Sequence, residues 1–141
     1  MKYKNNPLNI RYSAKTRWQG QSGHCNGFCE FESLEYGIRA ACYLILISYR
    51  RAGACTPAAI IRRWAPPSDN NPTDKYITWV CEKANLVRFE KLYYTADVAR
   101  MVVAMAEFEQ GKAPSFDATF VCDVIAKFKL NFLKPRTHKI K

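Results

Sequence analysis

Acidic residues are missing from both ends of this chain. Residues 1–29 hold Lys2, Lys4, Arg11, Lys15 and Arg17 without one Asp or Glu, and residues 124–141 hold six further Lys/Arg, again without an acid. The formal net charge is +10, so the ends account for all of it and the middle of the chain is close to neutral. That placement suits an anionic partner such as nucleic acid, lipid headgroups or an acidic envelope polymer. It equally describes a solvated surface with a basic tail over residues 134–141.

Long apolar runs are missing as well. The longest, residues 40–47, is bracketed by Arg39 and Arg50-Arg51 and is far too short for a bilayer, so no membrane span is expected. Residues 1–17 contain no apolar segment of the secretory kind, so a protein that is cytoplasmic when made is expected. Histidine is scarce, with His24 and His138 only, while cysteine is present six times without framework spacing. His24, Cys25 and Cys29 offer three ligands but lack a second close pair, so no metal site is expected and the thiols are read as reduced and mostly buried. No Ser-His-Asp arrangement, phosphate-cradling glycine loop or nucleotide fingerprint is present, and no cofactor is expected.

What is present is the composition of a folded domain. The 141 residues are 48% hydrophobic and 24% charged, which bounds the chain to one domain, read as residues 1–133 followed by the tail. The first thirty residues carry turn chemistry at Asn5-Asn6-Pro7 and from Gly20 to Gly27, and Ile10-Arg11-Tyr12 can pair with Phe28–Phe31 as short strands. From Ser33 the period changes. Ser33 is an N-cap, Glu35 suits the first turn, and Leu34, Ile38, Ala41, Ile45 and Tyr49 recur at helical spacing, predicting a central helix that Gly53 ends.

Four more helices are predicted. Thr56-Pro57 opens one that Pro66-Pro67 ends, and Thr73 caps another that stops at Asn85. Residues 96–110 form a third before Gly111. Ser115 caps the last, in which Phe116, Phe120, Val124 and Phe128 keep a four-residue step. The fold class expected is mainly α with a small N-terminal β-hairpin.

Three sets of residues carry a resemblance. They are Asn5–Arg11 with Trp18-Gln19-Gly20 and residues 28–40, then Arg63–Pro67 with Asn70-Asn71, Thr73 and Tyr76-Ile77, and finally residues 104–109. In that order they resemble a family common in phages and prophages, described as phage structural or lysozyme-like, peptidoglycan-degrading proteins. The resemblance implies a lysozyme-like helical domain, action on the glycan strands of peptidoglycan, and partners among the envelope polymers or other virion proteins. It also implies a virion-associated location as the alternative to a cytoplasmic one. More distantly the family is similar to bacterial glucosaminidases, whose essential glutamate ends a helix upstream of the Asn-rich loop. Here nothing acidic precedes Glu30.

Glycosidic cleavage needs a carboxylic acid and a second carboxylate or a positioned water. Glu30, Glu32 and Glu35 are the candidates, with Glu30 and Glu32 on one face of a strand and Glu35 in the first helical turn. The plainer reading makes them an ordinary solvent face and a helix-dipole residue. Asn6, Asn9, Tyr12, Trp18, Trp64 and Asn71 are candidates to hold a saccharide, by aromatic stacking and amide hydrogen bonds; they are also candidates for core, rim and turn roles. Arg39 is expected to pair with Glu35, four residues earlier. Three functions follow: a peptidoglycan glycosidase, a non-catalytic glycan-binding or virion protein on the same scaffold, and, least supported, a basic nucleic-acid-binding protein lacking any recognisable binding motif.

Overall fold

The computed structural model describes residues 1–130. The basic tail read from residues 134–141 and the end of the domain boundary at 133 lie outside the described residues. The order is β1 (Gln21–Cys25), β2 (Phe28–Phe31), α1 (Leu34–Tyr43), a π-helical continuation (Leu44–Tyr49), α2 (Pro57–Trp64), a 3-10 turn (Pro67–Asp69), α3 (Thr73–Ala84), α4 (Thr95–Gln110) and α5 (Ala118–Lys127). The class is mainly α with a small N-terminal hairpin.

Local chemistry explains most helix ends. The Ser33 hydroxyl accepts from the Tyr36 N–H, and the Thr56 hydroxyl accepts from the Ala59 N–H with Pro57 at the first helical position. Asn85 and Gly111 close α3 and α4 in the left-handed conformation. Two caps differ from the sequence reading. Thr73 is already helical, with Pro72 before it. Ser115 does not cap α5; the Asp117 carboxylate does, accepting from the Phe120 N–H. The Phe116–Phe120 step therefore begins outside the helix, which starts at Ala118.

The hairpin also differs. The main partner of β2 is β1, antiparallel, with Gln21 opposite Phe31 and Cys25 opposite Phe28, and Asn26-Gly27 forming the tight turn. Ile10–Tyr12 pairs on the other side of β2 through Cys29 N–H to Ile10 carbonyl at 2.9 Å and Tyr12 N–H to Gly27 carbonyl at 2.8 Å. Gly37 lets this layer meet α1, because a Cβ there would stand 1.9 Å from the Asn5 carbonyl oxygen.

The core is shared between two helices rather than centred on one. α1 and its π-helical continuation bury five and three residues, while α4 alone buries eight, including Met101, Val102 and Met105. α4 packs against α3 and α5, and α1 against α5 and β2. Each fully buried Ile, Leu or Met contributes roughly 1.5–3 kcal/mol. The sequence pattern marked residues 34–52 as central because they are apolar nearly all round; α4 reaches the same burial with alanines at the close contacts.

Candidate functional site

A cleft of about 340 Å³ opens where the N-terminal loop, the π-helical segment, the end of α2 and the end of α4 converge. One of its lining carboxylates is Glu109, in the last turn of α4. That position is electrostatically awkward, since the helix C-terminus already carries partial negative charge. Three donors offset it. Asn9 Nδ2 reaches Oε1 at 3.0 Å, while the Tyr76 hydroxyl at 2.9 Å and Trp64 Nε1 at 3.4 Å both reach Oε2. The donors come from the N-terminal loop, α3 and α2, so the carboxylate ties three elements to a fourth.

Each donor is held by its own surroundings. Asn9 has a positive φ of 55° that asparagine tolerates, and its side-chain oxygen accepts from Gln110 Nε2 at 3.3 Å. Gln110 also donates to the Pro7 carbonyl at 2.8 Å, which clamps the loop on α4. Tyr76 is buried and stacks on Phe108 with ring centroids 4.0 Å apart. Burial, and then the adjacent Glu109 charge, push its hydroxyl well above the usual tyrosine range, so it remains a donor.

The cleft walls add aromatic, amide and acidic groups. Trp18 meets the Tyr43 ring edge-on at 5.8 Å, and Asn71 donates to the Pro66 carbonyl at 2.9 Å while lining the opening. Tyr49 ends the π-helical segment; burial raises its hydroxyl to about 12 despite the lowering effect of Arg63. π-Helical turns recur at functional sites because the extra residue per turn re-aims side chains, and here both Leu44 and Tyr49 line the cleft. Asp69, exposed on the 3-10 turn, is a second lining carboxylate, and Arg11 is a lining cation.

The structure thus brings together Asn9, Trp18, Trp64 and Asn71, four of the six residues singled out for saccharide contacts. Asn6 is elsewhere. It is fully buried, donating to the Ile10 and Cys29 carbonyls at 3.0 and 2.8 Å and accepting from the Ile10 N–H at 2.9 Å, so it staples the loop to β2. Tyr12 is exposed and stacks on His24 at 3.8 Å. Asp69 and Glu109 were not singled out by sequence reasoning. The third resembling segment ends on Glu109, and that was the signal available.

The three glutamates of the strand and first turn have separate settings. Glu30 accepts from the Lys4 N–H at 3.4 Å, Glu32 lines a second groove, and Glu35 pairs with Lys127 of α5 at 2.7 Å. The Glu35–Lys127 pair corrects the expected Glu35–Arg39 pair. The last turn of α5 brings Lys127 onto Glu35, whereas the Arg39 guanidinium lies over the Tyr43 and Phe128 rings at 5.5 and 5.7 Å. The hydrogen bond and charge of Glu35 raise the Lys127 ammonium above its ordinary value.

Cys29, Cys42 and Cys81 are buried, Cys55 and Cys122 half-buried, and Cys25 exposed, all as free thiols. Among the described residues no helix is long and apolar enough to cross a membrane, and no three His, Cys, Asp or Glu side chains are grouped as a metal site would need.

Fold and cleft together define a small helical protein with an acidic, aromatic-walled groove. No protein-family profile matches the chain. Over 114 residues, covering 78% of this chain and 70% of its relative, it is 32% identical to Protein P5 of Pseudoalteromonas phage PM2. The chain belongs to the family of that phage protein.

Proposed function

We propose that the chain is a phage protein that holds a glycan strand of the bacterial envelope in the Glu109 cleft and cleaves a glycosidic bond there. The observation that carries this reading is the convergence of Asn9, Trp64 and Tyr76 on a carboxylate inside an open cleft. Trp18 and Trp64 offer faces for sugar rings, and Asn9 and Asn71 offer amides to N-acetyl groups.

The two lining carboxylates suit different tasks. Glu109 accepts three hydrogen bonds, which fits a group that orients water or stands beside developing positive charge. Asp69, on the 3-10 turn that lines the cleft, is the carboxylate left for proton transfer to the leaving oxygen. Glu109 also ends a helix, as the resemblance to glucosaminidases requires of the essential acid, although it comes from the other end of the domain. The Glu30, Glu32 and Glu35 set is the rival assignment, and Glu32 has the better position of the three because it borders a groove.

A second reading keeps the cleft and drops the chemistry: a glycan-binding virion component. It is favoured by the donors to Glu109 coming from three separate elements, the pattern of a structural tie.

The test is release of soluble fragments from purified peptidoglycan. Glu109→Gln and Asp69→Asn are each expected to lower it by about 100-fold or more, with chitotetraose binding retained. Glu30→Gln, Glu32→Gln and Glu35→Gln are expected to stay near wild type; abolition by one of them instead would move the chemistry to residues 30–35. Binding without release by the wild type would leave the virion-component reading.

A further inference from the structure

A second groove, of about 790 Å³, adjoins the Glu109 cleft: Thr16 and Trp18 line both. Its lining includes Arg39, whose Nε is shielded from solvent and has no hydrogen-bond partner among the described residues. A shielded donor left unpaired is costly, although Arg39 as a whole is half-buried. The natural partner by helical spacing, Glu35, is taken by Lys127 at 2.7 Å. Glu32 lines the same groove, yet among the described residues Arg39 makes no ion pair. The aromatic rings of Tyr43 and Phe128 lie under the guanidinium without satisfying its Nε–H. Arg17, exposed at the rim, adds a second positive charge.

The geometry points to a carboxylate-binding subsite at Arg39, continuous across Trp18 with the Glu109 cleft and reading an acidic group carried by the same polymer. Its ligand class rests on the glycan reading above. A guanidinium presents a planar fork of donors that matches a carboxylate in two-point contact; with the Arg39 Nε shielded, the terminal N–H groups are the ones a ligand in the groove would meet. An envelope glycan offers such a group in two ways, on an acidic sugar or on an attached short peptide. A neutral polymer such as chitin offers none. The second groove therefore selects among glycans that the first cleft accepts alike.

The test follows the Nε–H resonance of Arg39 by NMR in the wild-type protein, identified by its loss in Arg39→Lys. Titration with N-acetylmuramic acid probes the sugar acid, and L-Ala-D-Glu probes the peptide acid; the methyl esters of both are the controls. A saturable shift with one or both acids and none with the esters is expected, and calorimetric titration should show about tenfold weaker binding of the acid to Arg39→Lys. A resonance that ignores both acids, or moves equally with acid and ester, overturns the subsite. Chitotetraose binding, followed by tryptophan fluorescence, separates the two ideas. Failure there with the Arg39 shift intact removes the glycan reading and leaves an anion site; chitotetraose binding with a silent Arg39 does the reverse.

Discussion

The Tyr76 hydroxyl donates to Glu109 Oε2 across 33 positions of sequence, at 2.9 Å, and joins the buried face of α3 to the end of α4. Tyr76 is 2% exposed, so its hydroxyl relies on Glu109 as its acceptor in the folded protein. Glu109→Ala is therefore expected to cost about 1–3 kcal/mol through the stranded hydroxyl. Tyr76→Phe, which removes the donor but keeps the stack on Phe108, is expected to cost about 0.5–1.5 kcal/mol. Denaturant melts of both variants check the order; a costlier Tyr76→Phe would mean the hydrogen bond is not the main link.

Alkaline pH is expected to unfold the protein earlier than its surface charge suggests. Burial raises the Tyr49 hydroxyl and the Cys42 thiol to about 12, from ordinary values of 10.0 and 9.0, and raises Tyr76 in the same direction. The folded state then holds protons that the unfolded chain releases, so stability is fully present below pH 9 and falls as pH rises from there towards 12. Melting temperatures measured between pH 8 and 11 should decline. Tyr49→Phe and Cys42→Ala should each flatten the slope, and an unchanged slope in both would remove this explanation.

Gly37→Ala is expected to be severely destabilising. The added methyl would stand 1.9 Å from the Asn5 carbonyl oxygen, a backbone atom that cannot swing aside. Overpacking of this kind costs about 1–3 kcal/mol or more, or several degrees of melting temperature. Gly23→Ala, where a Cβ meets nothing within 4 Å, is the matched control and should melt within a degree or two of wild type.

Anionic envelope polymer is expected to bind more weakly as salt rises, because Lys2, Lys4, Arg11, Lys15 and Arg17 are all exposed. Replacing Lys15 and Arg17 by serine should reduce the dependence of log K on log salt. A salt-independent affinity would assign those charges to solubility alone.

Helix content was legible in the sequence because capping and period are local. Ser33, Thr56-Pro57, Asn85 and Gly111 act on groups within four residues, and each does in the structure what its chemistry predicts. The hairpin was legible only in part. Asn26-Gly27 is a local turn, but the choice of Gln21–Cys25 over Ile10–Tyr12 as the main partner of β2 depends on how the loop folds over α1.

Helicity, basic ends and a supply of aromatic and amide residues belong to single residues and their near neighbours, so they can be read along the chain. Which carboxylates face a cleft and which charges pair depends on contacts between residues far apart in the chain. Asn9 meets Glu109 across 100 positions, and Lys127 meets Glu35 across 92. Such contacts are set by the packing of α4 on the N-terminal loop and of α5 on α1, which no spacing along the chain encodes. The packing takes Glu35 away from Arg39 and leaves Glu109 at the head of the groove.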